Sequence, residues 1–78
     1  MNEQLRSVIA DALGLEPAAV TPDLTRGSDA VDWDSMGHLR LITAVEEAFD
    51  IRMTMSEIEN INTAAELDDC VQNHTAGS

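Results

Sequence analysis

A serine that follows an aspartate, at Asp34-Ser35, is the part of this chain whose residue types point most directly to chemistry. Ser35 ends a stretch rich in turn residues and begins a segment with helical spacing of apolar residues. A serine acts as a nucleophile only with a general base in hydrogen-bond reach and donors for an oxyanion. The imidazoles that could serve are His38, predicted to turn toward the core, and His74 near the C-terminus. No G-x-S-x-G motif surrounds Ser35, so we interpret this serine as a substrate for modification, not a catalyst.

The same two residues are also ordinary helix-starting residues, because Asp and Ser are among the commonest N-caps. Asp34 is predicted to cap a helix that begins at Ser35, with its carboxylate accepting from the amide of Met36 or Gly37. The amides and dipole at a helix start favour negative charge, which suits a phosphodiester on Ser35. Because Asp34 would repel that phosphate, we assign it to recognition by the modifying enzyme, through a metal ion of that enzyme.

Four residues on one side of the same helix form a predicted docking ridge: Met36, Arg40, Thr43 and Glu47. Their spacing of i, i+4, i+7 and i+11 places them together, opposite the apolar stripe. An exposed Met36 would suit a partner-binding surface that is apolar and flanked by charge. The alternative, that Met36 packs under the preceding loop, stays open at this point.

The elements that must position these residues begin with a helix from Asn2, as its cap, to Leu13, with Gly14 as a left-handed stop. A long loop follows as far as residue 33, in which residues 16–20 can form one helical turn. Four apolar side chains are expected to hold this loop on the helices: Leu15, Val20, Leu24 and Val31.

The second helix is predicted from Ser35 to about Phe49. Its core face is expected to comprise Leu39, Leu41, Ile42, Val45 and Phe49. Two capping boxes, Ser56-x-x-Glu59 and Thr63-x-x-Glu66, predict a short third helix and a last helix. The residues expected to face inward on these two helices are Ile58, Ile61, Ala64, Leu67, Cys70 and Val71. The sequence therefore predicts an all-α fold: a four-helix antiparallel bundle of three long helices and one short, with a long loop between helices one and two.

Length and charge restrict the classes of function. Seventy-eight residues form one domain, 1–78, with about 75–78 as a frayed tail and little room for an enclosed active site. Fifteen acidic residues, four arginines and no lysine give a net charge of −11, which disfavours nucleic acid and favours basic protein surfaces. No apolar run approaches the ~20 residues of a membrane span, and the N-terminus lacks signal-peptide features. We expect a cytoplasmic monomer in which Cys70, the single cysteine, packs in the core and is not a nucleophile.

A resemblance to the acyl carrier and peptidyl carrier proteins is carried by Trp33-Asp34-Ser35-Met36-Gly37-His38-Leu39. The signature of this family is Asp-Ser-Leu or Asp-Ser-Met at the start of the second of four helices, and the similarity continues through residues 41–49 and 58–67. It implies that Ser35 receives 4′-phosphopantetheine from coenzyme A through a phosphopantetheinyl transferase. It implies further that a ligase or acyltransferase loads cargo as a thioester for downstream synthase or transferase enzymes. The protein itself is then not an enzyme, with no catalytic or metal-binding residues.

The sequence departs from the fatty-acid members of that family, because Arg40 and Gly37 stand at commonly acidic positions and Arg52 adds a positive charge. Like charges discriminate against wrong partners, so we hypothesise a specialised, stand-alone carrier of secondary metabolism or cell-surface synthesis, or one loaded with an amino acid. The alternative function is a cofactor-free acidic helical module that binds a basic partner. It explains the charge and Met36 but leaves Asp34-Ser35 unexplained.

Overall fold

The computed structural model describes residues 2–27 and 33–76, and within them it contains four α-helices and no strand. The helices are α1 (Glu3–Leu13), α2 (Ser35–Phe49), α3 (Met55–Asn60) and α4 (Ala64–Ala76), with a 3₁₀ turn at Pro17–Ala19. The predicted all-α fold, with three long helices and one short, is confirmed. In the described part of the chain, no helix is long and apolar enough to cross a membrane.

Both ends of α1 are as predicted. The side-chain oxygen of Asn2 accepts hydrogen bonds from the amides of Gln4 and Leu5, at 2.8 and 3.1 Å. Gly14 ends the helix at φ 69°, a left-handed conformation that glycine adopts without a Cβ penalty, and its N–H donates to the carbonyl of Ala10.

The long loop is fastened to the beginning of α4. Three of its predicted anchors pack on or within the core, namely Leu15, Val20 and Leu24; Val31, the fourth, lies outside the described residues. The amide of Ala64 donates to the carbonyl of Leu24 at 2.9 Å, and the amide of Arg26 donates to the carbonyl of Asn62 at 2.7 Å. These bonds hold residues 24–26 of the loop against the residues at the start of α4.

The prediction for the core face of α2 is wrong at one residue. Leu41, Ile42 and Val45 are buried and Phe49 packs partly against the core, but Leu39 is 59% exposed. A helix turns about 100° per residue, so Leu39 lies about 100° from the centre of the buried stripe and only about 40° from Thr43. Its side chain therefore belongs to the exposed side, and its neighbour His38 is the residue that turns inward.

The predicted Ser56-x-x-Glu59 capping box is also wrong. α3 begins at Met55, and its cap is Thr54. The Thr54 hydroxyl accepts from the amide of Glu57 at 3.1 Å, and the Glu57 carboxylate accepts from the amide of Thr54 at 2.8 Å. The capping box thus lies two residues earlier, at Thr54-x-x-Glu57.

A tertiary contact explains this position. Met53 is buried, and its amide donates to the Glu46 carboxylate on α2 at 2.9 Å, so the chain is held just before Thr54. The second predicted capping box is confirmed in one of its two bonds, because the amide of Glu66 donates to the Thr63 hydroxyl at 3.1 Å, whereas the Glu66 carboxylate accepts from the amide of Asn62 at 3.0 Å. The inward residues of the last two helices are also as predicted: Ile61, Ala64, Leu67 and Val71 are buried, and Ile58 and Cys70 pack partly against the core.

Candidate functional site

Ser35 is the first residue of α2, and it is exposed. Asp34 precedes it with extended backbone, and one oxygen of its carboxylate accepts from the amide of Gly37 at 2.7 Å. The Asp34 carbonyl accepts the first intrahelical hydrogen bond, from the amide of His38 at 2.8 Å. The predicted cap and helix start are confirmed, with Gly37 as the residue that Asp34 caps.

This geometry fits a phosphodiester better than it fits catalysis. The first amides of a helix have no intrahelical acceptor, and Asp34 takes up only that of Gly37. The amides of Ser35 and Met36 therefore lie at the positive end of the helix dipole, where a phosphate on the serine would be stabilised. Because Ser35 is exposed, an external enzyme can reach it.

His38 cannot act as a base for Ser35, because both of its ring nitrogens are engaged elsewhere. The indole N–H of Trp33 donates to His38 Nδ1 at 2.9 Å. An indole nitrogen is only a donor, so Nδ1 must be the unprotonated acceptor. Nε2 then carries the proton and donates to the carbonyl of Ile58 at 2.8 Å. The neutral imidazole thus links the residue before the Asp34-Ser35 pair to α3.

Trp33 is the structural residue that sequence reasoning missed. It is fully buried, and the largest of the completely buried side chains in the described part of the chain. Its ring stacks on that of His38 with centroids 6.0 Å apart and an angle of 28° between the planes. The signal in the sequence was a tryptophan five residues before a histidine, across the start of a helix. The buried side chains of Trp33 and His38 anchor the start of α2 in the core, so Ser35 has a defined position on the surface.

The docking ridge is exposed along its whole length. Met36 is 73% exposed, so the alternative in which it packs under the loop is wrong. Arg40, Thr43 and Glu47 are also exposed, and together with Leu39 and Ala44 they line a shallow groove. Leu39, for which the apolar spacing predicts a core position, therefore adds an apolar residue to this surface.

The charge on Arg40 is available to a partner. Among the described residues, the ion pair between Arg6 and Glu3 and the contact between His74 and Glu57 do not involve Arg40. The Thr43 hydroxyl, in contrast, donates to the carbonyl of Leu39 at 2.9 Å. The ridge thus offers a partner apolar area, one positive charge from Arg40 and one carboxylate from Glu47.

The remaining candidate nucleophile and base lie between α3 and α4. Cys70 and His74 both contact the Glu57 carboxylate, at 3.3 and 2.9 Å. Burial, together with the hydrogen bond and negative charge of Glu57, raises the pKa of the Cys70 thiol to about 11. Cys70 is therefore a poor nucleophile near neutral pH, in line with the prediction.

Comparison with known proteins places this geometry in a family. The model of the family described as "Phosphopantetheine attachment site" matches residues 3–71. An acyl carrier protein of Thermosynechococcus vestitus is 30% identical over 74 residues, which cover 95% of this chain and 90% of that protein. An acyl carrier protein of Rubrobacter xylanophilus is 33% identical over 72 residues, covering 92% of this chain and 88% of that protein.

These matches favour the carrier function over the cofactor-free interaction module, because the family model is defined by attachment of the cofactor. They extend over most of the chain and include α1, α2, α3 and the start of α4. The chain therefore belongs to the phosphopantetheine attachment site family: it is a carrier of acyl intermediates on a covalent 4′-phosphopantetheine, and not an enzyme.

Proposed function

We propose that Ser35 is the residue that carries the phosphopantetheine arm. The observation that supports it is an exposed serine at the first position of α2, where helix amides can stabilise the phosphate. The thiol of the arm supplies thioester chemistry when it is bound. The protein contributes a fixed point of display, held from behind by Trp33 and His38.

Asp34 and the docking ridge are the proposed recognition surface. Asp34 uses one carboxylate oxygen for its cap, which leaves the other for the modifying transferase and its metal ion. Met36, with Leu39 beside it, gives the ridge apolar area that a partner can bury. Arg40, Thr43 and Glu47 flank this area with polar and charged groups, which set the orientation of a partner more than its affinity.

The partners that this proposal implies are a phosphopantetheinyl transferase, a ligase or acyltransferase that loads acyl or aminoacyl cargo, and downstream synthase or transferase enzymes. The protein works with them as a cytoplasmic monomer of one domain, and its acidic surface keeps it away from nucleic acid.

We also propose a specialised pathway, of secondary metabolism or cell-surface synthesis. Arg40 and Arg52 support it, because both are exposed and add positive charge to an otherwise acidic protein. Gly37 supports this proposal less than the sequence predicts, because it is buried and cannot form part of a docking surface.

The attachment site is tested by intact mass after incubation with coenzyme A and a broad-specificity phosphopantetheinyl transferase. We expect one added arm on the wild-type protein and none on Ser35→Ala. Ser56→Ala is the matched control, because Ser56 is also an exposed serine near the start of a helix. This variant keeps Ser35, so we expect it to be loaded with the arm as fully as the wild-type protein. An arm that persists on Ser35→Ala would contradict the proposal.

The pathway is tested by comparing enzymes of primary fatty-acid synthesis with the protein's own pathway enzymes, using the loaded carrier. We expect the primary enzymes to accept it poorly and Arg40→Glu to improve their acceptance. Equal acceptance of the wild-type carrier by both sets would contradict a specialised role. The mass of the species attached to protein from its own host would identify the cargo.

A further inference from the structure

Three side chains with different donor atoms meet between α3 and α4, outside the Ser35 site. They are Glu57 on α3 and Cys70 and His74 on α4, and we call them the α3–α4 cluster. His74 Nε2 and Cys70 Sγ lie 2.9 and 3.3 Å from the same carboxylate oxygen of Glu57. All three donor atoms lie within 4.8 Å of one another.

We propose that the α3–α4 cluster is a binding site for a divalent transition-metal ion of the Zn²⁺ type. A thiolate, an imidazole and a carboxylate are the three ligand types that Zn²⁺ takes from proteins, whereas Mg²⁺ and Ca²⁺ take oxygen ligands. No such site was expected from the sequence. It is independent of the carrier function, since neither Ser35 nor the docking ridge contributes a ligand.

Two of the three distances in the cluster, those from Glu57 to His74 and to Cys70, are close to those that such an ion requires. His74 Nε2 and Cys70 Sγ lie within 4.8 Å of each other and would have to be about 3.5 Å apart around the ion. Zn–N and Zn–O bonds of about 2.0 Å and a Zn–S bond of about 2.3 Å place neighbouring tetrahedral ligands roughly 3.3–3.5 Å apart. The contacts of 2.9 and 3.3 Å to Glu57 would open by only a few tenths of an ångström. The side chains of His74 and Glu57 are 26% and 34% exposed, so they have room to make that adjustment.

The surroundings supply the rest of a coordination shell. A cleft that opens to solvent is lined by two of the three ligands, Glu57 and Cys70, together with Asp69 and Asn73, so water can approach the cluster from that side. Three protein ligands plus water is an arrangement that Zn²⁺ adopts in proteins. Glu66 also lines this cleft, and its carboxylate with that of Asp69 favours the approach of a cation.

The choice of cysteine also fits an ion better than hydrogen bonds alone. A bound cation would stabilise the Cys70 thiolate and release its proton. A purely structural hydrogen bond to Glu57, in contrast, could be made equally well by a serine at position 70.

The experiment is a titration of the full-length, metal-free Ser35→Ala protein with Co²⁺, in excess Mg²⁺ that occupies nonspecific carboxylates. Ser35→Ala removes the thiol of the arm, and Cys70 is the only cysteine of the chain. A thiolate-to-cobalt absorption band that saturates at one ion per chain is therefore the expected result. Zn²⁺ should displace the cobalt, and at 100 times its Kd it should raise the Tm by roughly 10–20 °C.

Two conservative variants test the ligands, each in the Ser35→Ala background. Cys70→Ser keeps a donor for Glu57, and we expect it to lose the absorption band and weaken Zn²⁺ binding. His74→Gln should also weaken it. Since loss of an outer-shell partner costs roughly 10–100-fold in affinity, loss of a ligand should cost at least as much. Glu59→Gln, an exposed acid on the same helix as Glu57, is the matched control and should bind Zn²⁺ normally.

Absence of the band from the Ser35→Ala protein would overturn the proposal, as would two chains per bound ion. Equal Zn²⁺ affinity in Cys70→Ser and Glu59→Gln would also overturn it, because binding would then reflect the acidic surface as a whole. Helical circular dichroism of each variant checks folding. Should Cys70→Ser not fold, the cobalt spectrum of the Ser35→Ala protein decides alone.

Discussion

The start of α2 and the start of α3 use the same local device to opposite ends. At α2, Asp34 caps Gly37 and leaves the intervening Ser35 and Met36 exposed. At α3, Thr54 and Glu57 cap each other, and the second oxygen of Glu57 reaches Cys70 and His74 on α4. We call a capped helix start whose side chains face solvent, as at α2, a place of display. We call one with a side chain that contacts another helix, as at α3, a joint between helices.

The two faces of α2 give the largest expected contrast. Leu41 is fully buried and Leu39 is 59% exposed. Leu41→Ala should lower the free energy of unfolding by about 2–5 kcal/mol, because it removes buried methyl groups and leaves a cavity. Leu39→Ala should lower it by less than about 0.5 kcal/mol and instead weaken docking of partner enzymes. Urea unfolding measures the first effect and enzyme kinetics with the carrier the second; a similar loss of stability in both variants would contradict the assigned faces.

Trp33→Phe should come next in size. The phenyl ring keeps much of the buried apolar area, but His38 Nδ1 loses its donor in a buried environment. An unsatisfied buried acceptor costs about 1–3 kcal/mol, and we expect a loss of that size in urea unfolding. His38→Gln should cost less in the Trp33→Phe background than in the wild type, since only its bond to the Ile58 carbonyl then remains to be lost. Full additivity of the two substitutions would show that the indole and imidazole do not act as a unit.

Cys70, which contacts Glu57 between α3 and α4, should react more slowly with alkylating reagents than an exposed thiol does. Its pKa of about 11, against an ordinary 9.0, reduces the thiolate at pH 8 by roughly 100-fold, while the higher basicity recovers about tenfold in intrinsic nucleophilicity. Alkylation by iodoacetamide, in chelator, should therefore be about tenfold slower than that of a free cysteine. In the holo protein the arm thiol should react first. Glu57→Gln should speed alkylation of Cys70, and no acceleration would contradict the part assigned to the carboxylate.

Acid should loosen the same joint. The pKa of Glu57 is lowered from 4.5 to about 2, so its stabilisation is complete above the unfolded value of 4.5 and is lost as the pH falls toward 2. Because this side chain is 34% exposed, solvent screening should limit the effect to about 1 kcal/mol. Thermal unfolding in chelator should show Glu57→Gln less stable at pH 6 and converging with the wild type by pH 2. Glu59→Gln is the charge-matched control, and a gap that stays constant with pH would contradict the linkage.

Predictions were correct where the deciding contacts join residues close in sequence, and wrong where those contacts join residues far apart. Asn2, Gly14 and Asp34 set helix ends through residues within a few positions, so the sequence was sufficient for them. Thr54 and Ser56 are both followed by glutamate three residues later, and local chemistry does not choose between them. Their order was decided by Met53 and its hydrogen bond to Glu46, seven residues away on α2.

The same reason explains the residues that were missed. Helical spacing alone places His38 inward and Leu39 outward, but it does not extend to Trp33, whose indole donates to the imidazole only in the folded chain. The spacing of Cys70 and His74 on one side of α4 was visible in the sequence, but Glu57 lies 13 residues before Cys70. Only the packing of α3 against α4 brings that carboxylate to them.

Two substitutions of Asp34 separate its two assigned parts, the helix cap and recognition by the transferase. Asp34→Ala removes the cap of Gly37 and should cost about 1 kcal/mol, measured by urea unfolding. Asp34→Ser keeps a good N-cap, so its stability should stay within a few tenths of a kcal/mol of the wild type. If the carboxylate also serves the transferase, both variants should accept the arm slowly, although only one has a weaker helix start. A wild-type loading rate in Asp34→Ser would show that Asp34 acts only as the helix cap. The transferase would then recognise this site through Ser35 and the docking ridge.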